Sequence, residues 1–552
     1  MRKSLLLLIF SCLAFLSFSQ VVYEPSSNSP VYDLLDELAS LRIISLNSII
    51  KPYSRKYIAE KLLKAKQANQ YSNYKLSKRI RDEVDFYLRD YGFDLQTKCQ
   101  KGKDTLAHQH ISYDPPGYLY TTNIFKAAIR PAFGAQFRVN ENGSTHEFTG
   151  GGEAFGYAGK HIGFYANAKQ TWQSEALVSP EYFTMEEGKV WKDAGKEGKT
   201  NTEWRGGISV AWNWGDLGVY KDRPIWGNSE HGSNILSGHA PSVPFIRLHL
   251  YPAKWIEFQY IHGWLQSNVV DSTKSAFALE NGGNGNDELV YRKKFIAANM
   301  LTITPWRGLN ISLGNSIIYS DVNPNPWYLI PVLFYNSVDA QKNVYSNDNG
   351  SNSQMFFDVC SRQIRHLSLY ACLYIDELKG SRITDPNHYN FTSWKLGLKL
   401  SDLPLQNLSF TAEWTKTNPL TYKHYIAATN FTNDDYNMGH YLRDNSQEIY
   451  VAATYKPLRN LVFLLSYTYA EHGGEYPYSG STGEDITALP VLKNLTWQNK
   501  EFQLAVGYEI FNRVTCFLQY CNTHRQGDVR YSPSLMLGNT NTLVVGVSLG
   551  WE

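Results

Sequence analysis

Two hydrophobic periods divide this 552-residue chain. Near the N-terminus apolar residues recur every three or four positions. Beyond about residue 116 they alternate with polar or small ones. The final stretch is the clearest case: Leu543, Val545, Val547, Leu549 and Trp551 alternate with Val544, Gly546, Ser548 and Gly550. Successive side chains on a strand point to opposite faces, so one face here is apolar and closes on an aromatic. Phe133, Ala135 and Phe137 alternate in the same way with Gly134, Gln136 and Arg138. So do Ile162 to Ala168, Ile449 to Tyr455 and Phe502 to Ile510. Each run is long enough to cross a bilayer as a tilted strand. The pattern predicts an all-β transmembrane barrel over residues 116–552, with about 16–18 antiparallel strands.

The helical part predicts a small N-terminal α-helical bundle over residues 20–96. Leu34, Leu35, Leu38 and Leu41 share a face, with Asp33, Asp36 and Glu37 opposite. Pro52 opens a second helix carrying Tyr57, Ile58, Leu62 and Leu63, with Ser54 as a cap. A third runs from Leu76 through Ile80, Val84, Tyr87 and Leu88 to a stop at Gly92. Three short helices make a poor core alone, so they are expected to cap the periplasmic end of the barrel. Residues 97–115 read as a polar connector.

Targeting and composition fit an envelope protein. Arg2 and Lys3 precede an apolar run from Leu5 to Phe18, a signal peptide over residues 1–19 with cleavage before Gln20. The 38 Tyr and 14 Trp exceed ordinary globular usage and suit aromatic girdles at the membrane interfaces. Net charge is +2 with no basic block, so nucleic acid is not an expected partner. Beyond the leader the cysteines are Cys99, Cys360, Cys372, Cys516 and Cys521, an odd set with no metal-ligand spacing; Cys516 and Cys521 differ in strand parity and should not bridge. Residues 250–255, 303–309 and 455–461 share a Pro-containing turn and read as short periplasmic links. Residues 281–287 and 345–353 read as external loops.

Asp222, Arg223 and Trp226 form the best candidate cluster. An indole could stack on a sugar while the charges bond its hydroxyls; alternatively the charges brace the lumen wall. His231, His239 and His249 match no ligand module, and no metal or cofactor is implied. The Asn433-Asp434-Asp435-Tyr436-Asn437 stretch lacks the glycine and distal glutamate of a calcium loop and reads as a solvated loop. Gly150-Gly151-Gly152 is not followed by the residues of a phosphate loop, and no nucleophile elbow or triad can be assigned. Arg138, Glu448 and Glu509 fall on lumen-facing positions.

The segment Val219-Tyr220-Lys221-Asp222-Arg223-Pro224-Ile225-Trp226-Gly227, continuing through Asn234-Ile235-Leu236-Ser237 to Pro244, resembles the Wzi-type capsule assembly family of outer-membrane proteins. Three further stretches agree in order: the helical region from Val31 to Leu63, the region from Phe295 through Asn315 to Pro331, and Tyr422-Lys423-His424 followed by Met438 to Ser446. The last is similar to the family's Gly-His-x-Leu-Gly-x-Asn-Ser signature, with Arg443 standing where Gly is usual. The resemblance implies an 18-stranded barrel with a periplasmic helical bundle that binds and organises surface polysaccharide without catalysis. It places His440 and Asn445 beside Asp222, Arg223 and Trp226 as polysaccharide-binding or lumen-bracing residues. The implied partners are surface polysaccharide, outer-membrane lipid and other envelope proteins. Bacteroidetes relatives of the RemB type suggest a gliding-motility or secretion accessory instead, and a barrel of this size could also be a plugged porin-like channel.

Overall fold

The computed structural model describes residues 18–25, 30–71, 76–95, 108–195, 198–275, 289–320, 323–338, 350–478 and 485–550. Among the described residues, eighteen antiparallel strands close into one barrel. In chain order they are β1 (Phe125–Asn140), β2 (Gly143–Ala158), β3 (Ile162–Gln173), β4 (Lys199–Trp212), β5 (Gly215–Asp222) and β6 (Val243–Ala253). There follow β7 (Ile256–Leu265), β8 (Lys294–Trp306), β9 (Leu309–Ser320), β10 (Ser351–Ser361), β11 (Leu367–Glu377) and β12 (Phe391–Ser401). The last are β13 (Leu408–Thr417), β14 (Ser446–Leu458), β15 (Leu461–His472), β16 (Trp497–Phe511), β17 (Val514–Gly527) and β18 (Gly538–Leu549). The barrel closes where β18 pairs with β1, from Leu543↔Val139 to Leu549↔Phe133. Closure leaves no unpaired edge among these strands, as a wall surrounded by lipid requires.

The two faces obey the alternation. On β18, Leu543 and Val545 point outward and are exposed, while Thr542, Val544 and Ser548 are buried in the lumen. On β1, Phe133 and Phe137 are exposed outside. One end of the barrel carries tight links at residues 254–255, 307–308, 459–460 and 512–513. The turn at Gly308 has φ 85°, and a Cβ there would lie 2.8 Å from the Arg362 carbonyl oxygen, so the link accepts only glycine without strain. The opposite end carries the long connections. Residues 281–287 lie outside the described residues, and Ser351–Ser361, which overlaps the loop expected over residues 345–353, is strand.

Three helices close the short-turn end: α1 (Pro30–Ser40), α2 (Arg55–Tyr71) and α3 (Lys78–Leu95). Their apolar stripes meet one another, with Leu34, Leu35 and Leu38 packed on Ile58, Leu62, Ile80 and Val84. Ser54 Oγ accepts the Tyr57 amide at 3.1 Å, so Ser54 is the N-cap of α2 and Pro52 stands outside the helix. Leu63, expected on the core face, is exposed. Ser77 Oγ accepts from Ile80 N at 3.2 Å and caps α3. Gly92 does not end α3, which runs on to Leu95 because Asp90, Tyr91 and Asp94 on either side of it are buried against the wall. Wall side chains grip the bundle's backbone: Asn310 Nδ2 donates to the Leu46 carbonyl at 3.1 Å and Asn512 Nδ2 to that of Phe86 at 3.2 Å.

The leader read over residues 1–19 lies outside the described residues up to residue 17; Phe18–Ser19 pair with Trp212 and Ala211. Residues 21–23 then follow the lumen wall at Gly163, where a Cβ would come within 1.9 Å of the Val21 carbonyl oxygen. Of the connector, His108–Tyr113 is a strand that pairs with Pro116–Thr121, and this hairpin joins β1 through Tyr118↔Ile129. Cys360, Cys372, Cys516 and Cys521 are free; Cys99 lies outside the described residues.

Candidate functional site

Two layers fill the lumen, one from each end. The lower layer is the helical bundle, joined to the wall by a buried ionic cluster. Arg55 of α2 contacts Glu24 at 2.6 Å, Asp90 at 2.7 Å and Asp94 at 3.1 Å. From the wall, Arg130 on β1 reaches Asp90 at 2.6 Å. Arg513, in the link between β16 and β17, reaches Asp90 at 3.3 Å, Glu24 at 2.6 Å and Glu153 of β2 at 2.7 Å. Burial alone would raise the Asp90 carboxyl, but Arg130, Arg55 and Arg513 overcome it and hold the group well below the usual carboxylate range. Asp94 faces Arg55 and Tyr157 and is pushed up by burial.

The upper layer is built from residues 223–242 and 418–445, two stretches two hundred positions apart in the chain. They meet where Ser237 Oγ donates to the Gly439 carbonyl at 2.7 Å and Tyr422 Oη to that of Asn234 at 2.9 Å. Trp226, Ile235, Leu236, Tyr422, Phe431, Tyr436 and Met438 share one buried apolar cluster between them. Residues 223–242 are also pinned to wall carboxylates. Asp358 accepts from the Asn228 amide at 2.9 Å, and Glu413 from the Glu230 and His231 amides at 2.7 and 2.9 Å. His231 Nδ1 lies 2.9 Å from Glu448 and its ring stacks on Tyr450 at 4.2 Å.

Every candidate residue read from the sequence lies within this upper layer or at its margin, and all five are buried. Asp222 ends β5 and accepts from its neighbour's amide at 2.9 Å and from Tyr165 Oη. The Arg223 guanidinium, 4% exposed, bonds Glu203 at 2.8 Å and the carbonyls of Gly188, His239 and Ala240 at 2.8, 3.2 and 3.0 Å. Trp226 is 1% exposed and pairs in a small three-stranded sheet with Leu236 and with Ile50 of the N-terminal region. His440 lies 3.6 Å from Glu448, and burial lowers its pKa. Asn445 stands apart, donating to the Gly474 carbonyl at 2.9 Å and accepting from the Leu492 amide at 2.8 Å. These are the contacts of bracing groups. Of the other histidines, His239 packs on Tyr436 within the layer, while His249 lies outside it and bonds Asp216 and Glu257. Asp434 and Asp435 form the tight turn of a two-residue hairpin, both with positive φ.

Sequence reading missed the wall groups that hold this layer: Glu203, Asp358, Lys395 and Glu413. Lys395 and Glu413 form a fully buried pair at 2.9 Å. Their signal was a charge at an inward position of an alternating strand, as Lys395 stands between Trp394 and Leu396. The three lumen charges that were read, Arg138, Glu448 and Glu509, contact Glu186 at 3.3 Å, His231 at 2.9 Å and Tyr87 Oη at 3.3 Å. Between the layers lies a cavity of about 700 Å³ lined by charges of both signs, among them Arg79, Glu186, Lys189, Glu230 and Lys399.

Above the upper layer the long connections present an aromatic patch. Tyr425, 51% exposed, lies 4.1 Å from the His424 ring and 6.3 Å from Tyr478, with centroids tilted rather than stacked. Tyr389 and Tyr476 flank it over a small core of Phe391, Leu420 and Leu489. Burial pushes the His424 pKa down to about 4, so its ring is neutral at physiological pH. Lys423 pairs with Glu475 at 2.5 Å beside the patch, and Arg443 joins the same carboxylate at 3.3 Å.

One solved outer-membrane barrel shares this fold. The Wzi structure from Escherichia coli, described as an outer membrane protein involved in group 1 capsule assembly and a carbohydrate-binding β-barrel, aligns with a TM-score of 0.55 at 11% identity, over 97% of this chain and 100% of that one. Pseudomonas aeruginosa OccD3 (OpdP) and Acinetobacter baumannii OccAB3 align over 77% of this chain, covering 91% and 98% of theirs, at 11% and 9% identity, each with a TM-score of 0.41. No curated protein matches in sequence. The family model described as capsule assembly protein Wzi matches residues 132–524, from the first strand of the barrel to the seventeenth. On that match the chain belongs to the Wzi capsule assembly family.

Proposed function

We propose that the protein is a non-enzymatic outer-membrane barrel that binds surface polysaccharide and helps organise it, with the helical bundle on the periplasmic side. The observation that carries this reading is the patch of exposed Tyr425 with half-buried His424 and Tyr478 on a barrel whose lumen is filled from both ends. A filled lumen leaves the external loops as the surface a long polymer meets. Sugar rings stack on such aromatic faces while neighbouring charged groups bond their hydroxyls. Asp222, Arg223, Trp226, His440 and Asn445 act one level below, holding the loops that present the patch. Each sugar contact contributes roughly 1 kcal/mol, so retention of a polymer comes from many barrels acting together.

Tyr425→Ala combined with Tyr478→Ala, in protein that still inserts, is expected to release polymer into the medium without lowering its synthesis. Cell-bound polysaccharide that stays at wild-type level in a strain lacking the protein altogether would overturn the reading. If that strain instead loses surface motility, the barrel serves as a platform for a motility machine.

A further inference from the structure

On strands β7–β9 the outer face breaks the apolar rule. Leu313 and Phe357 point outward, 64% and 41% exposed. Two positions further along β9, on the same face, stands Asn315, in register with Asn299, Tyr260 and Met355 on the neighbouring strands. His262 and Tyr319 lie on that face too, joined at 2.7 Å. Yet Asn299, Asn315, Tyr260 and His262 are all buried, because residues 323–338 fold back over the outside of the wall.

The contact is latched by side chains of the wall. Asn299 Nδ2 donates to the carbonyls of Pro331 and Leu333 at 2.8 and 2.9 Å, and Tyr260 Oη to that of Tyr328 at 2.8 Å. Asn315 Oδ1 accepts the Tyr335 amide at 2.9 Å, while its Nδ2 donates to Asn299 at 2.7 Å. Tyr328 and Tyr335 turn inward onto the wall, at 1% and 0% exposure. The opposite side of the segment presents Trp327, Leu329, Ile330, Val332 and Phe334, with Val332 75% exposed.

Depth follows from the same strands. Trp255, in the turn just before β7, and Trp264, on the outer face near its end, are both exposed. At roughly 3.4 Å per residue they stand about 30 Å apart along the strand. A tilt of about 40° reduces this to a height near the roughly 25 Å of an apolar band. Tyr260 lies between them. Irregular backbone at that depth must have its polar groups satisfied, and the two asparagines and Tyr260 satisfy groups that the segment's own turns do not. Conversely, the segment shields two amides that would otherwise face hydrocarbon.

We propose that residues 323–338 form a flap lying within the membrane. Its crest of Trp327, Leu329, Ile330, Val332 and Phe334 packs against acyl chains of the outer leaflet, continuing the apolar surface of Leu313 and Phe357. Its underside is fixed to the wall by Asn299 and Asn315. The inference requires membrane insertion and is independent of any polysaccharide binding.

The test places a photoreactive benzophenone in the full chain as Val332→p-benzoylphenylalanine. The comparison site is Tyr425→p-benzoylphenylalanine, and both proteins are reconstituted in phosphatidylethanolamine–phosphatidylglycerol vesicles with radiolabelled acyl chains. Lipid adducts at position 332 are expected at least fivefold above those at 425. Equal yields would return the segment to water and overturn the proposal, as would an adduct at 332 formed mainly with protein. In a second arm, Asn299→Leu with Asn315→Leu keeps the wall apolar and removes the latch. Adducts at 332 should then fall about threefold while the barrel remains heat-modifiable on gels. An unchanged yield would show that the asparagines do not hold the flap.

Discussion

At the short-turn end the lumen is closed by helices with an apolar core of their own, whereas at the long-loop end it is closed by irregular backbone hung on wall carboxylates. The bundle meets the wall through a dense charge cluster centred on Asp90, backed by the Asp36–Arg362 and Glu83–Lys456 pairs at 3.0 and 3.5 Å and by the Asn310 and Asn512 bonds. The loop layer meets it through scattered bonds at Asp358, Glu413 and Glu448. The difference is one of cooperativity. A domain with its own core can be released whole once its ties are cut, whereas a layer whose apolar cluster is shared with the wall loosens bond by bond.

The largest expected effect is therefore at the Asp90 cluster. Asp90→Asn leaves Arg55, Arg130 and Arg513 around a neutral amide, and breaking such a buried set costs about 3–5 kcal/mol. Protease should then reach α1–α3 together while the barrel stays heat-modifiable; loss of membrane insertion would contradict the division between wall and bundle. Next is Glu413→Gln, which leaves the buried Lys395 ammonium without its counter-charge and, with one acceptor oxygen remaining, frees one of the Glu230 and His231 amides. A loss of about 3 kcal/mol is expected, read as cleavage within residues 223–242 with the helices still protected. Simultaneous exposure of both layers would erase the contrast.

Acidity should act with opposite sign on Asp90 and Asp444. Asp90 is held low in the folded protein, so its contribution is present above the unfolded value of about 4 and fades as pH falls further. Asp444, in the loop layer, is pushed up to about 6 by burial, with Lys423 opposing. Its contribution is complete below about pH 4 and is lost as pH rises through 6. Limited proteolysis from pH 4 to 7 should find residues 418–445 increasingly accessible. The smallest effect belongs to Arg443, whose φ of 59° is a left-handed conformation, disfavoured by about 1 kcal/mol for a side-chain-bearing residue. Arg443→Gly relieves that strain but loses the packing on Phe183 at 4.6 Å and the pair with Glu475. Thermal unfolding should show stability within about 1 kcal/mol of the parent.

Alternation made the wall legible before the structure, because period two is local: it follows from one strand's own residues. The helical stripes were legible for the same reason, though α2 starts from the Ser54 cap and not at Pro52, and α3 runs past Gly92 to Leu95. Arg443 was legible through resemblance, since a position where relatives carry glycine has left-handed backbone here. What could not be read was the partner of each lumen charge. Arg223 finds Glu203 on the neighbouring strand once residues 223–242 turn into the lumen, and His231 finds Glu448 across the barrel, a pairing set by closure. Nor could parity reveal that Asn299 and Asn315, on an outward face, are covered by a distant loop.

The three-stranded sheet in the lumen joins Ile225–Trp226 of the loop layer to Ile50–Lys51 of the N-terminal region. Mechanically it is a coupling rod. Tension on residues 223–242 from outside runs along these backbone hydrogen bonds to the segment linking α1 and α2, and so toward the opposite side of the barrel. The wall bonds at Asp358 and Glu413 share that load from the flank. Under the proposed function, a polymer dragging on the loops would thus strain the helices, and the barrel would behave as a strut through which pull is transmitted from its long-loop end to its short-turn end.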